Sequence, residues 1–496
     1  MRLNAKQITA YTGGEFIVSP IDSSDLMTAI SWDSREVEPG TLYVALPGER
    51  VDGHDFVAQA LQAGAAGALV MQPLPDQVLV LAREMGAAII EVANTQSAIT
   101  DLAREWRANH LKGRIIGLTG STGKTTTKNL VRDVLSAKKS VVATLANQNN
   151  ELGVPRTLLN ANPETEAIVV EMGMRGMGQI TELCEFVKPH WGVIVNAGEA
   201  HIELLGSREN IARAKAELFE ALPGATGIAF VNGSDDMADF MVEHARLSER
   251  LCTAVCCDGS GNYSVSEDAE SWRVSPAVWA EDIEMDDQGR PRFTLCCRGF
   301  AEGQASADVC RQEIELGLRG MHNVSNSCQA AAVGLMMGID LPSIAEALAN
   351  ALPEGGRQEV LKARGGFTII NDAYNANPDS MKASLSMFCA MEVKGARYAV
   401  LGDMGELGDF AVACHEGVGA YAAKQPIDLL ICVGNLSKHI AEGALSAGMP
   451  ECKIIHVETI SDVLGELDVR LEPGDAVLVK ASHSMGLERV AEGLVN

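Results

Sequence analysis

Short all-apolar runs alternate along this chain with stretches whose apolar residues recur every three or four positions. Ile115 to Leu118, Ala167 to Val170 and Trp191 to Val195 are runs of the first kind. They are too short for helices and apolar throughout, as strands covered on both faces are. The stretch that opens at Thr125 carries Leu130, Val131, Val134 and Leu135 on one helical face, and Ser207 to Leu222 is a second helical pattern. This alternation predicts a parallel sheet with crossover helices from about residue 111 to 352. A more β-like insertion is expected within it, with a hairpin across Asp286-Asp287-Gln288-Gly289 and a strand from Arg292 to Cys296.

From 353 to 496 the alternation resumes, with strands predicted at Phe367–Ile370, Tyr398–Leu401, Leu429–Val433, Lys453–Val457 and Ala476–Lys480. A doubly wound, Rossmann-like domain is the natural reading. Residues 1 to 110, with a strand over Thr41–Leu46 and a helix around Phe56 to Ala63, read as a small N-terminal α/β domain. The expectation is an α/β protein of three domains, 1–110, 111–352 and 353–496.

Composition narrows the function. With 66 acidic against 40 basic side chains, the formal net charge of -26 argues against general nucleic-acid binding. An anionic substrate must then be met by local positive features. The opening MRLNAKQITAYTGGEF has no apolar signal-like core, and no run approaches the ~20 apolar residues of a membrane helix. A cytoplasmic protein, monomeric and without a membrane partner, is expected. Twelve cysteines are scattered without a C-x-x-C or a zinc spacing, as small reduced core residues would be.

Residues 117 to 128 read GLTGSTGKTTTK. The strict P-loop pattern asks for glycine where Leu118 stands. The context is nonetheless that of a phosphate loop: a strand, a glycine-rich turn and a helix N-terminus in order. Gly120 and Gly123 would let backbone N–H groups converge on an anion, and Lys124 would add a point charge. A hydroxyl of Thr125 or Thr126 could reach Mg²⁺. Thr119, Ser121 and Thr122 complete the candidate ATP loop. An ordinary strand-to-helix turn is the competing reading. Gly402, Gly405 and Gly408 lack the G-x-G-x-x-G spacing and read as turn glycines, so neither NAD nor FAD is expected.

Ligands of open α/β sheets lie beyond the carboxyl ends of the strands. Glu171 follows the 167–170 run and His201 lies in the segment after the 191–195 run, so both are candidate metal ligands. Lys215 shares an apolar stripe with Ile211, Leu218 and Leu222. Either its stem packs while its head escapes to water, or it is a desolvated amine of lowered pKa. Such an amine could act as a base or take up CO₂ as a metal-binding carbamate.

Seven segments then carry a resemblance: TGSTGKTTT, ANQNNELGVPRTLL, EMGMRGMGQI, NAGEAHIELLGSRENIARAKAELFEAL, GMHNVSNSCQAA, GRQEV and NDAYNANPDSMKASL. In content and order they resemble the Mur ligase family over nearly the whole chain, and Gly117 in place of Gly at 118 is that family's variant of the loop. DAYNANPDSM and LGDMGELG resemble the member that joins D-alanyl-D-alanine to UDP-N-acetylmuramoyl-tripeptide, and the N-terminal WDSREVEPGTLYVALPGERVDGHDF resembles the uridine-nucleotide-binding segment which that member shares with the preceding ligase. The resemblance implies ATP and Mg²⁺ as cofactors, an acyl-phosphate intermediate, and a role in peptidoglycan precursor synthesis.

It also implies residue roles. Lys124 would sit on the β/γ-phosphates, with Mg²⁺ held by Thr125 and Glu171 and a second ion by His201 and carbamylated Lys215. Asn323 and Asn326 would face the nucleoside, and Arg357 and Asp372 would reach the nucleotide from the third domain. Ser34, Arg35, Asp52, Gly53 and His54 would meet the uridine diphosphate. Asn149 and Asn150 are further substrate candidates, and Asn375 and Asn377 would meet the dipeptide. The chain departs from the family's pattern at Ala481, Ser482 and His483. Closure about a hinge near Leu352 to Gly356 would assemble the site. A folylpolyglutamate synthase-like ligase, a P-loop NTPase switch and a non-catalytic nucleotide-binding module are the alternatives.

Overall fold

The computed structural model describes residues 1–22, 24–48, 51–247, 253–259, 277–300, 309–363 and 365–495. Its contacts group into two compact units, one of residues 1–117, 139–173 and 180–191, the other of 118–138, 174–179 and 192–496. The dividing line passes through the strand Arg114–Thr119.

In the first unit a five-stranded sheet runs in the order Glu15–Val18, Ala88–Glu91, Gly67–Val70, Thr41–Val44, Ala29–Ser31. Its first pair is antiparallel and the others are parallel. The all-buried Thr41–Val44 strand ends two residues earlier than the apolar run, and the expected helix is Val57–Gln62, preceded by a 3-10 turn at Gly53–Phe56. Tyr43, Val57, Leu61, Val70 and Ile89 pack the core on one face. The same unit pairs Val141–Ala143 in parallel with Ala167–Glu171.

In the second unit Ile228–Asn232, Thr253–Asp258 and Ala277–Met285 pair in parallel, and Pro291–Arg298 and Cys310–Glu315 add antiparallel strands. The expected hairpin turn is present: Asp286 N–H donates to Arg290 O at 2.9 Å, and Gly289 takes φ +74°. The helix after the glycine loop is Lys124–Ser136, one residue earlier than its apolar face suggested, because Gly123 at φ +73° turns the chain sharply into it.

The third sheet runs Glu359–Lys362, Thr368–Asn371, Ala476–Lys480, Arg397–Gly402, Leu429–Val433, Ile454–Val457. All five predicted strands are there. The antiparallel edge strand Glu359–Lys362 was not foreseen, since its four half-buried or exposed residues show no apolar run. The last strand of the chain sits between Thr368–Asn371 and Arg397–Gly402 and parallel to both. The carboxyl ends of these three neighbours therefore bring residues 372–377, 403–408 and 481–483 together, at the kind of switch point where ligands bind.

Candidate active site

The glycine loop of the second unit is held from outside by one side chain. Asn196 Oδ1 accepts the N–H groups of Ser121 and Thr122 at 3.1 and 2.9 Å, and its Nδ2 donates to Thr122 Oγ1 at 2.9 Å. Lys124 Nζ donates back to Gly120 O at 2.8 Å and Ser121 O at 3.4 Å. The backbone needs its glycines: a Cβ on Gly120 would stand 2.9 Å from Val195 Cβ, and one on Gly123 would stand 3.2 Å from Asn326 Oδ1. Thr119 Oγ1 and Ser121 Oγ are buried with no protein hydrogen-bond partner. An acceptor-rich phosphate would satisfy such donors, so the loop fits the group it was read to bind. Thr125 is buried and Thr126 half-buried in the helix's first turn.

His201 and Lys215 lie in the same unit. His201 adopts a left-handed backbone, φ +65°, which a non-glycine residue takes up at a cost the surrounding fold must cover. Its Nδ1 is 2.7 Å from Glu406 Oε2, a close but bent contact, and Arg175 reaches the other Glu406 oxygen at 3.4 Å. Burial holds the His201 pKa down against the Glu406 carboxylate, and Lys124 and Lys215 lower it further. Lys215 is 1% exposed in the helix Arg208–Glu220, so its head does not snorkel. Burial drives its pKa well below the usual ammonium range, Lys124 adds to the fall, and Asp235 opposes it. Among the described residues no carboxylate pairs with Lys215. Asp235 is tied elsewhere, accepting Ala197 N–H at 2.7 Å and Met237 N–H at 2.8 Å.

Asn323 and Asn326 are buried on one helix, Asn326 Nδ2 donating to Asn323 Oδ1 at 2.8 Å. Arg357 lies with its guanidinium 4.2 Å from the centre of the Tyr374 ring, and no carboxylate among the described residues pairs with it. Asp372 is 8% exposed and already engaged on both oxygens: Oδ1 accepts Gln358 N–H at 3.2 Å, and Oδ2 accepts Ser384 Oγ and Lys480 Nζ, both at 2.7 Å. Asn375 is exposed, whereas Asn377 caps the helix Pro378–Ala390, its Oδ1 accepting Ser380 N–H at 2.8 Å.

The remaining candidates belong to the first unit. Arg35 forks onto Asp33, holding that carboxyl well below its ordinary pKa, and both lie beside Ser34 in a 3-10 turn. Asp52 caps the turn at Gly53 by accepting from His54 N–H at 2.9 Å and from His54 Nδ1 at 2.6 Å. His54 Nε2 accepts Met71 N–H at 3.0 Å, so its ring uses both nitrogens within the fold. Glu171 ends its strand at 1% exposure, and Asn149 Nδ2 donates to its Oε1 at 2.8 Å. Asn150 Oδ1 instead accepts Gly153 N–H, at the start of the next helix, at 3.0 Å.

Sequence reasoning did not single out Asn196, Asp235, Glu406 or Lys480. Asn196 carried a usable signal, a polar residue directly after an apolar strand and facing a glycine loop. The other three are defined by partners far away in the chain.

Comparison with known proteins followed the same outline. Residues 27–107 match the family model described as Mur ligase family, catalytic domain, 118–334 match Mur ligase middle domain, and 356–483 match Mur ligase, glutamate ligase domain. A curated relative named UDP-N-acetylmuramoyl-tripeptide--D-alanyl-D-alanine ligase, from Mycobacterium tuberculosis, is 36% identical over 100% of this chain and 98% of its own length. A crystal structure of MurF from Acinetobacter baumannii superposes with a TM-score of 0.81 at 29% identity, covering 100% of this chain and 99% of that one. MurF ligase from Thermotoga maritima, solved in complex with ADP, superposes at 0.71 with 26% identity, over 94% of this chain and 96% of that one.

Proposed function

This chain belongs to the Mur ligase family, and from that premise we propose how its residues divide the work of an ATP-dependent amide ligase. The protein joins D-alanyl-D-alanine to UDP-N-acetylmuramoyl-tripeptide, in peptidoglycan precursor synthesis. A carboxylate does not react with an amine unaided. The terminal carboxylate of the tripeptide therefore takes the γ-phosphoryl group of ATP, its oxygen forming the new bond to phosphorus as ADP leaves. The dipeptide amine then attacks the acyl carbon and phosphate departs.

Two anions must meet in the first step, so cations carry the burden. The loop N–H groups and the Thr119 and Ser121 hydroxyls cradle the phosphates, and Lys124 leaves its own loop carbonyls to follow the β/γ-phosphates. Arg357, unpaired by any described carboxylate and shelved on Tyr374, faces the transferring phosphoryl from the third domain. Asn323 and Asn326 take the nucleoside side. Asp372 acts through the Gln358 backbone rather than as a free nucleotide ligand, since its oxygens are engaged. In the first unit Ser34, Arg35, Asp52 and Gly53 serve the uridine diphosphate, with His54 acting as the brace of that turn. Asn375 is the better placed of the two dipeptide candidates, because Asn377 is committed to a helix cap.

The single observation that favours a ligase over a nucleotide switch is Lys215: fully buried, unpaired among the described residues, and depressed in pKa. A neutral amine there can attack CO₂. Its lone pair forms the N–C bond, one C=O pair moves to oxygen and the displaced proton leaves to solvent, giving a carbamate. His201 and that carbamate would offer Mg²⁺ a nitrogen and hard oxygens, and Thr125 and Glu171 keep the ligand roles the resemblance gives them. Bound Mg²⁺ would neutralise the charge gathering on the phosphates. Asp235 and Glu406 orient the surrounding loop and imidazole. No described helix is long and apolar enough to cross a membrane, and substrates of this kind suit a cytoplasmic, monomeric enzyme.

The test is phosphate release from Mg-ATP with UDP-N-acetylmuramoyl-tripeptide, with and without D-alanyl-D-alanine, and with folate plus glutamate as the control pair. Release that requires both peptide substrates is expected. Release indifferent to the dipeptide would leave an ATP site but remove the assigned acceptor.

A further inference from the structure

Lys480 ends the strand Ala476–Lys480, a place where a lysine ordinarily reaches into solvent. Here it is 2% exposed. Its ammonium has three acceptors for three hydrogens: Asp372 Oδ2 at 2.7 Å, Asn375 O at 3.0 Å and Asp372 O at 3.4 Å. One side chain thus grips both ends of residues 372–375.

That segment in turn holds the turn bearing Arg357. Asp372 Oδ1 accepts Gln358 N–H at 3.2 Å, and Tyr374 N–H donates to Gly356 O at 3.1 Å. The peptide groups on either side of Arg357 are therefore both anchored to the segment that Lys480 grips, and the guanidinium itself lies over Tyr374. The turn needs such anchoring, because Gln358 adopts φ +52° without being glycine. The residues after Lys480 extend the junction: Ser482 Oγ accepts Gly405 N–H at 2.8 Å, and the His483 ring lies 5.8 Å from that of Tyr374.

We propose that Lys480 is a positioning residue that sets Arg357 and residues 372–375 for phosphoryl transfer. A buried ion pair is a poor way to gain stability, since an apolar pair of the same volume serves as well or better. What the pair supplies is a fixed direction. An uncompensated Asp372 carboxylate would draw in water or a proton, release Gln358 N–H, and let the Arg357 turn relax. The inference rests on the reading of Arg357 as the phosphoryl-facing cation.

The experiment compares kcat and KM of the complete reaction for the wild type, K480M, R357A and K480M/R357A, with unfolding followed in parallel. K480M is expected to lower kcat about 30-fold, in keeping with the sensitivity of phosphoryl transfer to misplacement of about 1 Å, while KM for the uridine-nucleotide peptide stays within about twofold. In the R357A background the same change should cost no more than about twofold further, because both act through one guanidinium. Equal factors in the two backgrounds, or a folded K480M with wild-type kcat, would overturn the proposal. If K480M does not fold, D372N/K480M removes both charges together. The same loss of kcat is then expected, and wild-type kcat in that variant would overturn it. R357A with undiminished kcat would remove the premise and the role of Lys480 with it, while dependence of phosphate release on both substrates would keep the ligase itself standing.

Discussion

Lys215 and Lys480 are buried to the same depth, 1% and 2% exposed, in two regions of one unit, and chemistry separates them. Lys480 has a carboxylate at 2.7 Å and carbonyls for its remaining hydrogens. Lys215 has no carboxylate paired with it among the described residues, and its nearest charges include another lysine. A buried ammonium must be paired or give up its proton. The first lysine is consequently a brace paired with Asp372 and the second an amine pressed toward its neutral form. Depth alone says nothing of role; the partner decides it.

The largest expected effect bears on a third lysine, the one in the glycine loop. Lys124 Nζ donates to the loop carbonyls of Gly120 and Ser121, bonds that can be exchanged for phosphate. Lys124→Ala should lower kcat by about a thousandfold, the scale of losing a charge stabiliser at a phosphoryl group, measured as phosphate release with both substrates saturating. A variant within tenfold of wild type would mean that the loop's backbone does the work alone.

The next effect attacks the comparison directly. If Lys215 is a CO₂-reactive amine, Lys215→Met should cost roughly a hundredfold or more in kcat. Wild-type enzyme kept in CO₂-free buffer should lose activity and regain it on adding bicarbonate. Carbon-labelled CO₂ should give a carbamate resonance that Lys215→Met lacks and K480M keeps. A signal lost in K480M instead would exchange the roles assigned to the two lysines.

Protonation offers a smaller test. His322, half-buried beside the Lys480 network with Gln358 Nε2 3.1 Å from its Nε2, has its pKa pushed down to about 4 by desolvation, with Asp372 opposing and Lys480 adding. His190, on the first unit, is likewise lowered to about 4 by burial and by Arg107 and Arg114. Both rings are neutral when folded, while the unfolded chain binds a proton near pH 6.5. Stability should therefore be flat from these groups above pH 6.5 and fall as pH drops from 6.5 toward 4, by about 1–3 kcal/mol in all. His322→Gln should flatten part of that slope in urea unfolding series at stepped pH. An unchanged slope would show that His322 takes up its proton without unfolding.

The contrast between the lysines also marks what a sequence can disclose. The P-loop was legible despite Leu118, because strand, glycine turn and helix follow one another within a few residues. Lys215 was legible as a charge on an apolar helical stripe, though the stripe left snorkelling open until its burial was known. Lys480 was not. It closes an apolar strand as countless solvated lysines do, and its partner Asp372 lies 108 positions away, brought beside it only by the parallel pairing of Thr368–Asn371 with Ala476–Lys480. The edge strand Glu359–Lys362 escaped for a related reason, since its pattern acquires meaning only from the strand it borders. His54 and Asn377 were legible as polar residues in motif positions, but not as the turn brace and helix cap they form.

The smallest effect separates the two regions once more, through the caps of their helices. Ser207 accepts Asn210 N–H at 3.2 Å and starts the helix that carries Lys215. Asn377 starts Pro378–Ala390 with a capping box completed by Ser380. Replacing either by alanine should cost about 1 kcal/mol of stability, since each leaves the first helical turn short of an acceptor. Activity should distinguish them. Lys215 lies two turns inside its helix, buried along with Ile211 and Leu218 of the same helix, so Ser207→Ala should leave kcat within about twofold. Asn377 closes the very loop whose start Lys480 grips, so Asn377→Ala should lower kcat severalfold beyond its stability cost. Equal, negligible kcat changes in both would show that residues 372–375 are held by Lys480 and Asp372 without help from the cap.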